Sequence, residues 1–229
     1  MIVPLALERQ CLSGARAAES GPIVSISQSG QGADNAVRAA RAAIEHGATA
    51  LMSVGVAGAL VSGISAGDVV IPDAVIDAAS GSSFECSVSW SGAMRSQIDA
   101  LGGVNSGTLL GVSEALLTPA QKEAAANRYG SIACDMESAA IAAIAQAAQI
   151  HFAALRVISD ASSDELPPGV AGWVDSAGNA RVRPVLGALM SPGQWRSIIS
   201  MTARFRVAQR RLRQLSERLA VAGWCCPQS

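Results

Sequence analysis

Two short apolar runs, each emptying into a glycine-rich stretch and separated by a helix, limit most strongly what this chain can fold into. Ile23-Val24-Ser25-Ile26-Ser27 alternates as a strand does and passes into Gln28-Ser29-Gly30-Gln31-Gly32. The pattern then predicts a helix from about Ala33 to His46, with Asp34 near its start and Gly47 as its stop. Ala50-Leu51-Met52-Ser53-Val54 reads as a second strand and runs into a second glycine loop, Gly55-Val56-Ala57-Gly58-Ala59. Strand, loop, helix and strand in that order indicate an α/β sheet. Half of the residues are hydrophobic but only 3% are aromatic, so Ala, Val, Ile and Leu must build the core. That composition suits a buried parallel or mixed sheet under Ala-rich helices. A chain of 229 residues is long enough for one such domain.

The rest of the chain extends the pattern. Asp68 to Pro72 and Thr108 to Val112 read as strands, Pro119 to Tyr129 as a short helix, and Ile132 to Asp135 as a strand end. Ala78 to Trp90 is Ser/Gly-rich and shows no clear period. Glu137 to Gln149 is nearly uncharged and reads as a buried helix. Phe152 to Ile158 is an apolar strand ending in Ser159-Asp160. From Pro184 the character changes. Leu186, Leu189, Ile198, Ile199, Met201, Phe205, Val207, Leu212, Leu215 and Leu219 recur at helical spacing among arginines, with a break near Pro192-Gly193. This divides the chain into a domain over 1–190 and a basic amphipathic helical extension over 191–229.

Between Gly193 and Gly223 there are seven arginines and one acid, Glu217, so this tail carries +6 and the remainder −7. A basic end on an acidic body points to a local anionic contact, not to a general nucleic-acid protein. The tail reads either as a helix resting on anionic lipid through Phe205, Leu212, Leu215 and the arginines, or as a helix docked on the core with its arginines in water. Five cysteines (Cys11, Cys86, Cys134, Cys225, Cys226) form no CxxC pair, which indicates reduced thiols in a cytoplasmic protein. The first residues show no basic signal region. The two histidines, His46 and His151, offer little for a metal site, and no Ser-His-Asp or Cys-His arrangement is readable.

Two clusters could carry chemistry. In Arg156-Val157-Ile158-Ser159-Asp160, strand alternation points Arg156, Ile158 and Asp160 the same way. A carboxylate at the C-terminal end of an apolar strand stands where open α/β folds place their clefts. Partly desolvated, it would hold a proton near neutral pH, and Arg156, if close, would oppose that. The plainer reading makes Asp160 the cap of a turn with Ser162 and Ser163. In Cys134-Asp135-Met136-Glu137-Ser138, two acids stand at the mouth of a buried helix. They serve either the helix dipole or a ligand whose hydroxyls can satisfy a buried carboxylate. The glycines of Ser29-Gly30-Gln31-Gly32 and Gly55-Val56-Ala57-Gly58 allow close backbone approach to anions or sugar oxygens, or simply make tight turns. Neither matches a dinucleotide fingerprint or a P-loop.

In order, these segments resemble the purine nucleoside phosphorylase and methylthioadenosine/adenosylhomocysteine nucleosidase superfamily. The resemblance is carried by Ser29 to Gly32, Ser53 to Leu60, Gly67 to Asp73, Asp135 to Ile141 and Arg156 to Asp160. Leu166-Pro167-Pro168, the Arg-Val-Arg-Pro element from Arg181 to Pro184 and the arginine-rich tail look most like the hopanoid-associated phosphorylase, or adenosylhopane nucleosidase, branch.

The resemblance implies a three-layer αβα fold with a central mixed sheet, and cleavage of a purine–ribose bond through an oxocarbenium-like sugar. It implies Asp160 as the acid that protonates or hydrogen-bonds N7, with Ser159 beside it. It makes Glu137 the holder of the ribose hydroxyls, with Asp135 adjoining it and Met136 under the sugar. Val56, Ala57 and Gly58 would line the nucleophile side, Gly30 and Gly32 an anion, and Glu8 would activate water. Water or phosphate would be the co-substrate, without a metal or cofactor, and the small-molecule nucleoside would carry either the hopane lipid or a small thioether. A homo-oligomer is implied too, and a peripheral contact with the inner membrane through the tail. Three departures stand out: Val56 replaces a serine of the nucleosidases, the phosphate-binding arginine near Ser53 is absent, and Leu116 or Leu117 stands where an aromatic stacks on adenine.

Overall fold

A computed structural model of the chain describes residues 1–12, 24–167, 169 and 195–219, with side chains of the last helix described from 198 onward. Ile23, Pro168, the Arg181–Pro184 element, Leu186, Leu189, Pro192-Gly193, the Arg196 side chain, Cys225 and Cys226 lie outside the described residues.

The chain runs β1 (Ile2–Val3), α1 (Ala6–Cys11), β2 (Ser27–Gln28), α2 (Ala33–Glu45), β3 (Ala50–Ala59) and β4 (Val69–Val70). It continues with β5 (Ala74–Asp77), β6 (Ser83–Glu85), α3 (Val88–Ile98), β7 (Val104–Asn105) and β8 (Thr108–Gly111). The remaining elements are α4 (Pro119–Tyr129), β9 (Ala133–Asp135), α5 (Ser138–Ala147), β10 (His151–Asp160) and α6 (Trp195–Arg218). One mixed sheet holds them in the order β6-β5-β8-β9-β3-β10-β4-β7, with β1 on β3 and β2 on β1. The β3–β10, β1–β3, β5–β8 and β8–β9 pairs are parallel; β3–β9, β4–β10 and β5–β6 are antiparallel.

Alternation along β3 and β10 feeds two cores, one on each face of the sheet. Leu51, Ala57, Phe152, Ala154 and Ile158 pack with Ala36 and Ala40 of α2 and Ile141 and Ala145 of α5. Met52, Val54, Leu155 and Val157 pack with Cys11 of α1, Trp90, Met94 and Ile98 of α3, and Ala208, Leu212 and Leu215 of α6. Helices on both faces of a mixed sheet give the three layers expected.

Several expectations change. Of the strand read over Ile23–Ser27, residues 24–26 are not in a strand, and β2 is Ser27–Gln28. The second glycine loop is not a loop: Gly55 to Ala59 continues β3. Pairing with β10 from Ala50 to Gly58 outweighs the low strand propensity of glycine. The Ser/Gly-rich stretch contains β6 and the start of α3, whose Trp90, Met94 and Ile98 form one buried stripe. α6 packs against β10 and α1. Its residues Leu212 and Leu215, candidates for a lipid surface on sequence grounds, are buried in the second core instead. No described helix is long and apolar enough to cross a membrane.

Candidate active site at the open edge of β3

β1 meets β3 at Ser53 and β9 meets it at Gly58 and Ala59, so the edge of β3 between them carries no strand partner. The Val56 N–H in this gap donates instead to Glu8 Oε1 at 2.8 Å. Glu8 is held from its other oxygen by the Leu5 N–H at 2.9 Å. That second bond is the reach-back of an acid in the first helical turn to the residue before the helix. The side chain of Val56 turns away into the second core, so Val56 serves the site through its backbone.

Arg156 lies beside Glu8. A Cβ at Gly55 would collide with the Arg156 guanidinium and stand 3.1 Å from Glu8 Oε1. Glycine is needed here for close approach, not for its backbone angle. Arg156 Nη2 forms an ion pair with Asp135 Oδ2 at 2.5 Å and donates to Ser53 Oγ at 2.5 Å and to Ser138 Oγ at 2.8 Å. Asp135 also accepts from the Ser138 hydroxyl at 2.5 Å. Arg156 Nη1 and Nε are buried with no hydrogen-bond partner among the described residues. Glu137, two residues beyond Asp135, accepts the Gly32 N–H at 2.7 Å, and Gln31 Nε2 donates to Met136 Sδ at 3.7 Å.

Three buried carboxylates thus surround one guanidinium, and too little positive charge is present for all of them. Burial pushes the Glu8 carboxyl up to about 7, with Asp135 adding to the rise and Arg156 and the Leu5 and Val56 N–H groups opposing it. Burial and then the Asp135 charge raise Glu137 to about 7 as well, opposed by Arg156 and the Gly32 N–H. A carboxyl near 7 can take or give a proton at neutral pH.

Asp160 forms the other end. β10 and β3 pair residue for residue up to Ile158 and Ala57; the next pair is Asp160 with Gly58. One residue is therefore extra in β10, a bulge that reverses the alternation. A Cβ at Gly58 would meet Asp160 Oδ2 at 2.9 Å, whereas the Arg156 guanidinium lies over Gly55. Arg156 and Asp160 do not point the same way, contrary to the expectation from plain alternation. The cation at Asp160 is Lys122 of α4, whose Nζ lies 2.6 Å from Oδ2. Ser159 Oγ donates to Asp160 Oδ1 at 2.7 Å and also lies 3.2 Å from Ala57 O.

Leu116 and Leu117 stand beside this end. Leu116 packs with Leu60, Leu110 and Cys134. Leu117 donates its N–H to Gln121 Oε1 at 2.8 Å and accepts from Leu166 at 2.8 Å, which ties the loop to the segment after Asp160. Gly32 does not present a free donor to an anion, because Glu137 takes its N–H. Gly30 is buried, with its carbonyl accepting from Ser29 Oγ at 2.8 Å. Sequence reasoning missed Ser53, Ser138 and Lys122 as parts of the site. Ser53 lies 103 residues from Arg156 and Lys122 38 from Asp160, so no local pattern announces either; Ser138, three residues from its acceptor Asp135, stood in the acidic cluster without a role.

The sequence profile of the phosphorylase superfamily matches residues 15–183. A search of curated protein sequences gave no match. Among solved structures, the chain is similar to the 5'-methylthioadenosine/S-adenosylhomocysteine nucleosidase of Neisseria meningitidis in complex with methylthio-immucillin-A. There the TM-score is 0.69 at 18% identity, over 96% of this chain and 97% of that one. It is similar also to the futalosine hydrolase of Helicobacter pylori, with a TM-score of 0.68 at 14% identity, over 95% and 93%. The nucleosidase of Streptococcus pneumoniae with a transition-state inhibitor gives 0.62 at 18% identity, over 93% and 97%. The profile match alone covers well over half of the chain, and the chain belongs to the phosphorylase superfamily.

Proposed function

We propose that the protein hydrolyses the N-glycosidic bond of an adenine nucleoside, releasing adenine. One observation carries this reading. A buried carboxyl raised to about 7, Glu8, closes the open edge of β3 at Val56, and a second acid, Asp160, ends the neighbouring strand β10 opposite Gly58. Val56 and Gly58 are ~7 Å apart along β3, with Glu137 alongside Glu8. In this arrangement ionised Glu8 takes a proton from water as it attacks C1′. Arg156 Nη1, buried without a partner beside Glu8 among the described residues, offers that water a donor. Glu137 receives the ribose hydroxyls over Met136, and the surrounding carboxylates favour the positive charge that develops on the sugar. Asp160 accepts a hydrogen bond from the protonated N7 of the departing purine, which packs on Leu116 and Leu117.

Water is preferred to phosphate as the co-substrate for an electrostatic reason. Glu8, Asp135 and Glu137 crowd this pocket, and its guanidinium is already paired with Asp135. A phosphate dianion would be repelled, whereas a neutral water is not. The 5′ substituent has two readings. The similarity to nucleosidases acting on methylthioadenosine favours a small thioether. A hopane-linked substrate, drawn from a membrane by the basic tail, would have to use the arginines alone, since Leu212 and Leu215 are packed in the core. A homo-oligomer in the cytoplasm is the expected state for either. Adenine release from 5′-methylthioadenosine, S-adenosylhomocysteine and adenosylhopane, with and without phosphate, tests the reading. Hydrolysis independent of phosphate supports it, and a strict phosphate requirement with ribose 1-phosphate formed overturns it.

A further inference from the structure

We propose that Lys122 is a positioning residue for departure of the purine, acting through Asp160; this rests on the nucleosidase reading above. Lys122 is the buried residue of α4, at 1% exposure. A buried ammonium persists only where its charge and its donors are matched. All three of its donors are matched: Nζ lies 2.6 Å from Asp160 Oδ2, 2.8 Å from Ala161 O and 3.1 Å from Asp164 O. The latter two carbonyls belong to the turn that follows the acid. One ammonium therefore fixes the carboxylate and its supporting turn together.

That turn is closed again by Asp164, whose Oδ2 accepts the Ala161 N–H at 2.7 Å. Asp164 Oδ1 in turn takes Arg204 Nη1 of α6 at 2.8 Å. With Oδ2 held by Lys122, Oδ1 is the oxygen left for the purine. Ser159, which donates to Oδ1, has a second acceptor in Ala57 O and can turn to it. As the C1′–N bond breaks, its electron pair goes to the purine, which takes a proton from solvent at N7, and Asp160 Oδ1 accepts the hydrogen bond of that N–H. Water supplies hydroxide to C1′ and its proton to Glu8. The Lys122 ammonium keeps the Asp160 carboxylate aimed at that N–H.

The experiment compares the wild type with Lys122→Met, Lys122→Gln and Lys122→Arg on two substrates. One is 5′-methylthioadenosine, whose adenine needs a proton to leave. The other is 4-nitrophenyl riboside, whose phenolate does not. Lys122→Met is expected to lower kcat on the nucleoside by ~10²-fold, the lower range for general acid help, with KM little changed. Its rate on the nitrophenyl riboside stays near that of the wild type, and Lys122→Arg regains part of the loss. Lys122→Gln keeps donors for the turn and removes the charge, so it gives the same result should Lys122→Met fail to fold. An equal loss on both substrates, or a Lys122→Gln variant as fast as the wild type, overturns the positioning role alone. A wild type inert on every adenine nucleoside overturns the nucleosidase reading, and this role with it.

Discussion

Glu8 is a carboxyl whose burial works against its charge, and two measurements follow from that. Only ionised Glu8 can accept a proton from water, so kcat/KM is expected to rise as pH passes through about 7. Glu8→Gln should remove that rise and lower kcat by ~10²–10⁴-fold, with nucleoside binding retained in calorimetry. Stability follows from the same shift. Glu8 and Glu137 both go from 4.5 unfolded to about 7 folded, so the folded form holds more protons between those values. Stability then falls as pH rises through that window. Thermal unfolding across it should show the wild-type Tm declining and the Glu8→Gln Tm declining less. The carboxylates at 135, 137 and 160 stand out in the sequence because each interrupts an apolar run. Glu8 does not, since its second anchor, Val56, lies 48 residues away. Lys122 is hidden further, because α4 otherwise reads as a surface helix and only folding brings it under Asp160.

At the scale of elements, β3 and β10 hold the two ends of the site, and their glycines set the spacing. Gly58→Ala puts a Cβ 2.9 Å from Asp160 Oδ2. It is expected to turn the acid and lower kcat in steady-state assays while moving the Tm little. Gly55→Ala forces a Cβ into the Arg156 guanidinium within a fully packed cluster. It should destabilise the fold by ~1–3 kcal/mol, read by urea unfolding, besides impairing turnover. The strand–helix alternation was legible because each long element has its own period, and α4 runs over the span read from sequence, Pro119–Tyr129. The bulge in β10 was not legible. Its extra residue shows only against the register of β3, and a single strand read alone keeps its alternation to the end. The glycines of β3 misled for a related reason. Glycine marks both turns and close approaches, and the side chains that need the space, Arg156 and Asp160, come about a hundred residues later.

At the scale of the whole molecule, α6 is where a sequence division into domain and extension meets a shared core. Ala208, Leu212, Leu215 and Leu219 are buried in the cluster that also contains β3, β10, α1 and α3, while Arg206, Arg210 and Arg213 face solvent. The apolar face therefore belongs to folding and the arginine face to the surface. Arg204 does something else: it reaches Asp164 and through it the turn behind Asp160. These three roles separate by measurement. Leu212→Ala should destabilise by ~2–5 kcal/mol, seen in chemical denaturation, with kcat unchanged well below the Tm. Arg206→Gln and Arg210→Gln should stay within ~0.5 kcal/mol of the wild type and keep full activity. Arg204→Met loses an ion pair whose side chains are only 22% and 20% exposed, so its stability should fall by about 1 kcal/mol, yet its kcat on an adenine nucleoside should fall several-fold because the turn under the acid loosens. If α6 only covered the sheet, Leu212→Ala would be the most harmful of these changes by every measure. An Arg204→Met variant that is nearly as stable as the wild type and slower than Leu212→Ala would instead make the last helix part of the acid's support.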